Sequence, residues 1–233
     1  MDSSNFISPK RNIDIVFCID GTGSMSPCIN NVKDNAKRFY ADFVRAMTNN
    51  GSEIDLMRIK VIVFRDYKSD GANSMVESPF FELPDEEAEF SNYLDGIRAS
   101  GGCNEDANGL EALYLAMKSD FTTGPKDRQI IVLFADTTAI PLRKRGNCAG
   151  YPKGMVDENG LLETWMCMQG RTTKLRERCK RLVMFAPTGT CYESMKQTYN
   201  RSIFTPVQIH RGLDDISFDD IIKIVAASAS SVG

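Results

Sequence analysis

The stretch Ile13 to Met25, IDIVFCIDGTGSM, constrains the fold more than any other part of the chain. Its first half, with Ile13, Ile15, Val16, Phe17 and Ile19, is a short apolar, β-branched run of the kind that forms a strand covered on both faces. In its second half Asp20, Thr22 and Ser24 alternate with Gly21 and Gly23, so oxygen-bearing side chains sit in a turn flexible enough to converge on one point. Pro27 opens a long helical pattern, and proline is well tolerated in a first turn. In an open α/β sheet such a strand-to-helix turn lies at the carboxyl ends of the strands, where ligands bind.

The alternation of strand and helix continues. Val32, Ala36, Phe39, Tyr40, Phe43, Val44 and Met47 recur at helical spacing until Asn49, Asn50 and Gly51 stop the helix. A strand is predicted from Leu56 to Phe64, and a short one from Val76 to Leu83, where Pro79 points to a sheet edge. An acidic helix opens at Asp85, followed by the glycine-rich loop ASGGCNEDANG, a helix from Leu110 to Met117 and the strongly apolar strand Arg128 to Phe134. After a long loop, a helix is expected within Leu161 to Lys180. Strands at Leu182 to Phe185 and Ile203 to Val207 then flank a helix at Cys191 to Tyr199, and Phe218 to Ala227 closes the chain as a helix. The pattern predicts an α/β fold: a doubly wound, Rossmann-like, mostly parallel sheet with one antiparallel edge strand and helices on both faces. Residues 1–11 read as a flexible tail, 12–229 as one domain, and 139–160 as a long basic loop inserted in it.

Charge and cysteines narrow the function class. A formal net charge of -3 argues against a dedicated nucleic-acid binder. The charges are nevertheless segregated: Glu82 to Glu111 holds nine acidic residues against Arg98 alone, and Arg143 to Arg181 ten basic against four acidic. Such segregation suits solvated faces, or a surface that steers a charged partner. Seven cysteines, Cys18, Cys28, Cys103, Cys148, Cys167, Cys179 and Cys191, form no CxxC pair and read as reduced thiols. With a polar amino terminus and no apolar run of membrane-spanning length, the expected location is the cytoplasm. His210 has no serine elbow or partner acid around it, and Trp165, Met166 and Met168 read as an apolar seam.

Asp20-Gly21-Thr22-Gly23-Ser24 resembles the D-x-[ST]-x-S motif of von Willebrand factor A domains, which hold a divalent cation at a metal-ion-dependent adhesion site. Gly101-Gly102-Cys103-Asn104-Glu105 with the following NGLEALYLAM is similar to the loop that supplies a further oxygen ligand, and Phe134-Ala135-Asp136 to the strand end carrying the last carboxylate. Val63-Phe64-Arg65-Asp66-Tyr67 is similar to a stretch of the family's intracellular branch, while Arg65 and Asp66 by themselves read as a structural ion pair or turn. The resemblance implies a non-enzymatic interaction module in which Asp20, Thr22, Ser24, Asn104 and Asp136 bind Mg²⁺, with Mn²⁺ or Ca²⁺ as other candidates. An acidic side chain of a partner protein would complete the shell. Hard oxygen donors fit those ions, and Mg²⁺ keeps several waters, so an incomplete protein shell is expected. The departures from the pattern are Thr22 for the commoner serine and Cys103-Asn104 where relatives carry Thr or Asp, with Asp106 as the alternative loop ligand.

Two other readings stand beside this one. IDGTGS superficially resembles the D-x-D-G-T of metal-dependent phosphate-handling hydrolases, although Cys18 occupies the position of their nucleophile. A metal-free scaffold would instead make its contacts through the basic segment Arg143 to Lys153.

Overall fold

The computed structural model describes residues 10–101, 106–211 and 216–231. Its first half runs β1 (Lys10–Asp20), α1 (Ser26–Asn49), β2 (Glu53–Phe64), α2 (Tyr67–Asp70), β3 (Met75–Glu77), β4 (Phe81–Leu83) and α3 (Glu87–Gly96). The second runs α4 (Gly109–Met117), β5 (Arg128–Phe134), α5 (Glu158–Trp165), β6 (Lys180–Pro187), α6 (Cys191–Thr198), β7 (Ser202–Val207) and α7 (Phe218–Ser230). Of the segment expected as a tail, Lys10 and Arg11 already belong to β1, and residues 1–9 lie outside the described residues.

The sheet has seven strands in the order β3-β2-β1-β5-β6-β7, with β4 also paired to β2. Strands β2, β1, β5, β6 and β7 are parallel, as helical crossovers require. The edge differs from the single strand expected at Val76 to Leu83, because β3 and β4 are two short strands, both antiparallel to β2. Between them Ser78 N–H donates to Val61 O (2.9 Å) and Val61 N–H donates to Ser78 Oγ (2.9 Å), beside Pro79, which has no N–H to give a ladder.

Each face of the sheet has its own core. Phe17, Phe134 and Phe185 stack in a row across β1, β5 and β6, with centroid separations of 5.8 and 5.2 Å, under α1, α3 and α7. On the opposite face Val16, Cys18, Leu133, Met184 and Trp165 pack with α4, α5 and α6. The helical face read from α1 is the buried one: Ala36, Phe39, Phe43 and Met47 are buried, with Val32 and Tyr40 packed beside them. Each large apolar side chain so buried contributes about 1.5–3 kcal/mol. Beyond α1, Gly51 turns the chain with φ +71°.

The helix expected over part of 161–180 is α5, which begins earlier, at Glu158, and ends at Trp165, just before Cys167 adopts left-handed backbone at φ 51°. One expectation for the second half is corrected. Trp165 is fully buried and its Nε1–H donates to Asn200 O at 3.0 Å, whereas Met166 and Met168 are exposed rather than part of a seam. The loop over 139–157 is long and irregular as read, yet it is tied down. Leu142, Met155 and Val156 are buried, Tyr151 Oη–H donates to Glu111 Oε1 (2.8 Å), and Arg145 forms a two-pronged pair with Asp66 (2.7 and 2.9 Å). No described helix is long and apolar enough to cross a membrane.

Candidate metal centre

The strand order reverses between β1 and β5, since the chain leaves β1 toward β2 on one side and reaches β5 on the other. Such a switch point opens a crevice at the carboxyl ends of the two strands. Asp20 is the last residue of β1, and Asp136 follows the end of β5 by two residues, with Ile19 opposite Phe134 in the register. The two residues therefore lie beside each other at the rim, on adjacent strand ends, and each is fully buried.

The turn after β1 brings the hydroxyls to the same place. Thr22 N–H donates to Asp20 Oδ1 at 2.9 Å, and Thr22 Oγ1 lies 3.3 Å from Ser24 Oγ. Burial falls from Asp20 through Thr22 to the half-buried Ser24, so the donor set opens toward solvent. Asp20 Oδ2 is buried and has no hydrogen-bond partner among the described residues, as does Thr137 Oγ1 beside Asp136. Burial pushes the Asp20 carboxyl up to about 7; the Asp136 charge adds to the shift, and bonds from Thr22 and the charge of Arg65 oppose it. A buried carboxylate with an idle oxygen, a second carboxylate within its field and two hydroxyls at the mouth fit a hard divalent cation. Among the described residues no three carboxylate, imidazole or thiol groups gather at one point.

Arg65 builds the floor of this turn and is not the ion-pair partner of Asp66. Its guanidinium is buried and donates to four carbonyls: Gly21 O (3.1 Å), Ser100 O (3.3 Å), Asn73 O (3.2 Å) and Arg98 O (2.6 Å). Gly21 is required there, since a Cβ would lie 2.6 Å from Val63 Cγ1 and 2.8 Å from Arg65 Cζ. Asp66 instead caps α2 through Lys68 N–H (3.0 Å) and pairs with Arg145. An arginine placed directly after a strand whose last four residues are buried was the available sequence signal for this role, but its carbonyl partners come from three separate loops.

The loop after α3 is pinned to the site on both flanks. Ser100 N–H donates to Gly21 O (2.9 Å) and Gly23 N–H to Gly101 O (3.2 Å). On the far side Asn108 N–H donates to Arg65 O (3.1 Å) and Ile140 N–H to Ala107 O (2.9 Å). The expected loop ligand Asn104 lies outside the described residues, and Asp106 is exposed. His210 is exposed too, and its backbone N–H donates to Asp136 O at 3.0 Å. Cys18 cannot serve as a thiolate nucleophile: it is fully buried, its Sγ faces Ala112 O at 3.7 Å, and burial pushes the thiol far up.

A model of the von Willebrand factor type A domain matches residues 15–138, which takes in the strand, the turn and Asp136. The chain belongs to the von Willebrand factor type A domain family. No curated protein sequence matches it. Among solved structures, this A domain is similar to proximal thread matrix protein 1 of the mussel byssus, at 15% identity and a TM-score of 0.50, over 96% of this chain and 49% of that one. It is also similar to the pilus adhesin SpaC of Lactobacillus rhamnosus GG, at 12% identity and a TM-score of 0.49, over 97% of this chain and 31% of that one. The A domain thus spans less than half the length of either protein.

Proposed function

We propose that this A domain is a non-enzymatic protein-interaction module that binds Mg²⁺ at the crevice between β1 and β5 and docks an acidic side chain of a partner protein. Asp20, Thr22 and Ser24 would hold the ion with Asp136 and the loop residue Asn104. The observation that carries this reading is the buried Asp20 carboxylate, with Oδ2 lacking a hydrogen-bond partner among the described residues while Asp136 sits in its field. Two carboxylates at such a distance from water are costly without a cation. The ion, when bound, supplies an open coordination position for an incoming carboxylate. The chain's own residues do the rest: Arg65 fixes the turn, and half-buried Ser24 sits where the site meets solvent. The reading extends to the family's intracellular branch and a reducing, cytoplasmic setting, supported by the thiols of Cys18, Cys148, Cys167, Cys179 and Cys191.

Calorimetry with Mg²⁺ and Mn²⁺ tests the proposal on the wild type and on Asp20→Ala. Saturable binding in the wild type and none in the variant is the expected result, with a stabilisation of about 2.7 kcal/mol at a hundredfold excess of ion over Kd. An absence of binding to the wild type would sink the metal site and leave the metal-free scaffold, whose exposed basic residues are Arg143, Lys144 and Lys153. Phosphomonoester turnover that needs metal and is lost in Asp20→Ala would instead establish a hydrolase.

A further inference from the structure

Glu111, in the first turn of α4, is a fully buried carboxyl that the cation site does not use. One bond ties it to the basic loop: Tyr151 Oη–H donates to Glu111 Oε1 at 2.8 Å, and the same Oη accepts from Arg143 N–H at 2.8 Å. Two points of the 139–157 loop therefore close on each other through the hydroxyl that caps the acid. Tyr151 also lies edge-on against Tyr67 at 5.0 Å, and Tyr67 N–H donates to Asn108 Oδ1 at 3.1 Å, so this cover is joined to α2 and to the start of α4.

The described groups that face Glu111 are neutral or acidic. They are Tyr67 from α2, Tyr151 from the loop, Tyr192 from α6 and Glu158 at the start of α5. Burial pushes each of these phenols above its ordinary range, so all three stay protonated. On β1 the ionisable neighbour of α4 is Cys18, a buried thiol with Sγ 3.7 Å from Ala112 O, which burial also keeps protonated. The loop's cations are engaged elsewhere: Arg143 sends Nε to Met155 O (3.0 Å) and Nη1 to Asp157 (3.8 Å), and Arg145 is paired with Asp66. Glu111 Oε2 is buried with no hydrogen bond among the described residues. An ionised Glu111 is thus left without a counter-charge, and burial holds its carboxyl above the ordinary range against the bond from Tyr151.

Tyr67, Asn108 and Tyr192 are buried, whereas Tyr151 is half-buried, so its phenol stands between the carboxyl and solvent. A carboxylate in such a pocket is stabilised by hydration, and hydration requires that phenol to move. We propose that Glu111 is a proton-operated latch on the basic loop: as the neutral acid it keeps Tyr151 closed over it, and as the carboxylate it favours an open, hydrated loop. The Arg145–Asp66 pair holds the loop to α2 in both states, so the opening is local to Tyr151 and the Arg143 amide. The open state ionises in the ordinary glutamate range and the closed state only above it. Opening therefore becomes easier, by up to about tenfold per pH unit, as pH rises from the ordinary range to the raised value, and levels off beyond it.

The test is amide hydrogen exchange of the full chain, read by NMR at Arg143 N–H across that pH range and expressed as protection relative to the unstructured rate. In the wild type, protection should fall by up to about tenfold per pH unit and then level off, while the amide of Val132 in the middle of β5 keeps its own. In Glu111→Gln, which still accepts a bond from Tyr151 and cannot ionise, protection at Arg143 should stay high and flat. Infrared difference spectra follow the carboxyl itself, the band missing from Glu111→Gln marking Glu111. Protection that ignores pH in the wild type, an equal fall in Glu111→Gln, or a fall shared by Val132, which would mean global unfolding, overturns the proposal. If Glu111→Gln does not fold, the wild type decides alone: a buried-carboxyl titration whose midpoint coincides with the levelling of protection supports the latch, and one that does not coincide overturns it.

Discussion

At the scale of single residues, the site depends on contacts that tolerate little change. Gly21→Ala puts a methyl against Val63 Cγ1 and the Arg65 guanidinium, so a loss of about 1–3 kcal/mol is expected in urea unfolding. Arg65→Met removes the donor to four carbonyls at once, and a loss of about 3 kcal/mol together with weaker Mg²⁺ binding is expected, read by unfolding and calorimetry on one preparation. Glu111 provides a pH signature away from the cation site. Burial raises its carboxyl above the ordinary range, against the opposing hydrogen bond from Tyr151. The native state therefore holds that proton more tightly than the unfolded chain. The stability it contributes is complete at low pH and is lost as pH rises from the ordinary glutamate range through the raised value. Glu111→Gln should consequently flatten the pH dependence of the unfolding midpoint over that range, and a variant that keeps the full wild-type slope would contradict the assignment. Asp20, Thr22, Ser24 and Asp136 were legible as candidates because oxygen-bearing residues at strand ends carry their own signal. The task of Arg65 was not, because a guanidinium that seeks carbonyls leaves no mark in the sequence of its partners.

At the scale of elements, the basic loop over 139–157 is the one whose behaviour differs most from its composition. Its glycines, prolines and cations read as a solvated insertion, but Arg145 reaches the 3% exposed Asp66 and Tyr151 stacks edge-on against Tyr67 at 5.0 Å. Breaking the pair with Arg145→Gln leaves a buried carboxylate with only its capping bonds, and about 3 kcal/mol of stability should go with it. The same variant should become quickly cleaved by trypsin at Lys144 and Lys153, while the wild-type loop resists; equal cleavage of both would show that the clamp does not hold the loop. The shortened α5 and the divided edge strand follow the same logic. Helical and strand signals fix where an element can exist. The left-handed backbone at Cys167 and the missing N–H of Pro79 mark where it stops, and the packing of Trp165 and the ladder taken up by Ser78 settle the final length.

At the scale of the whole molecule, the sheet separates two poles of opposite character. Asp136 lies two residues past the carboxyl end of β5 and Arg128 at its start, eight residues earlier along a strand that rises about 3.3 Å per residue. The sequence alone determined the alternation of strands and helices, the two-sided core and the turn rich in oxygen donors, because buried apolar runs and glycine-spaced polar residues impose those locally. Only the tertiary structure decided which distant groups meet. Asp136 came to Asp20, Arg145 to Asp66 and Arg65 to carbonyls of three loops, because strand order and register, which no local pattern encodes, bring them together.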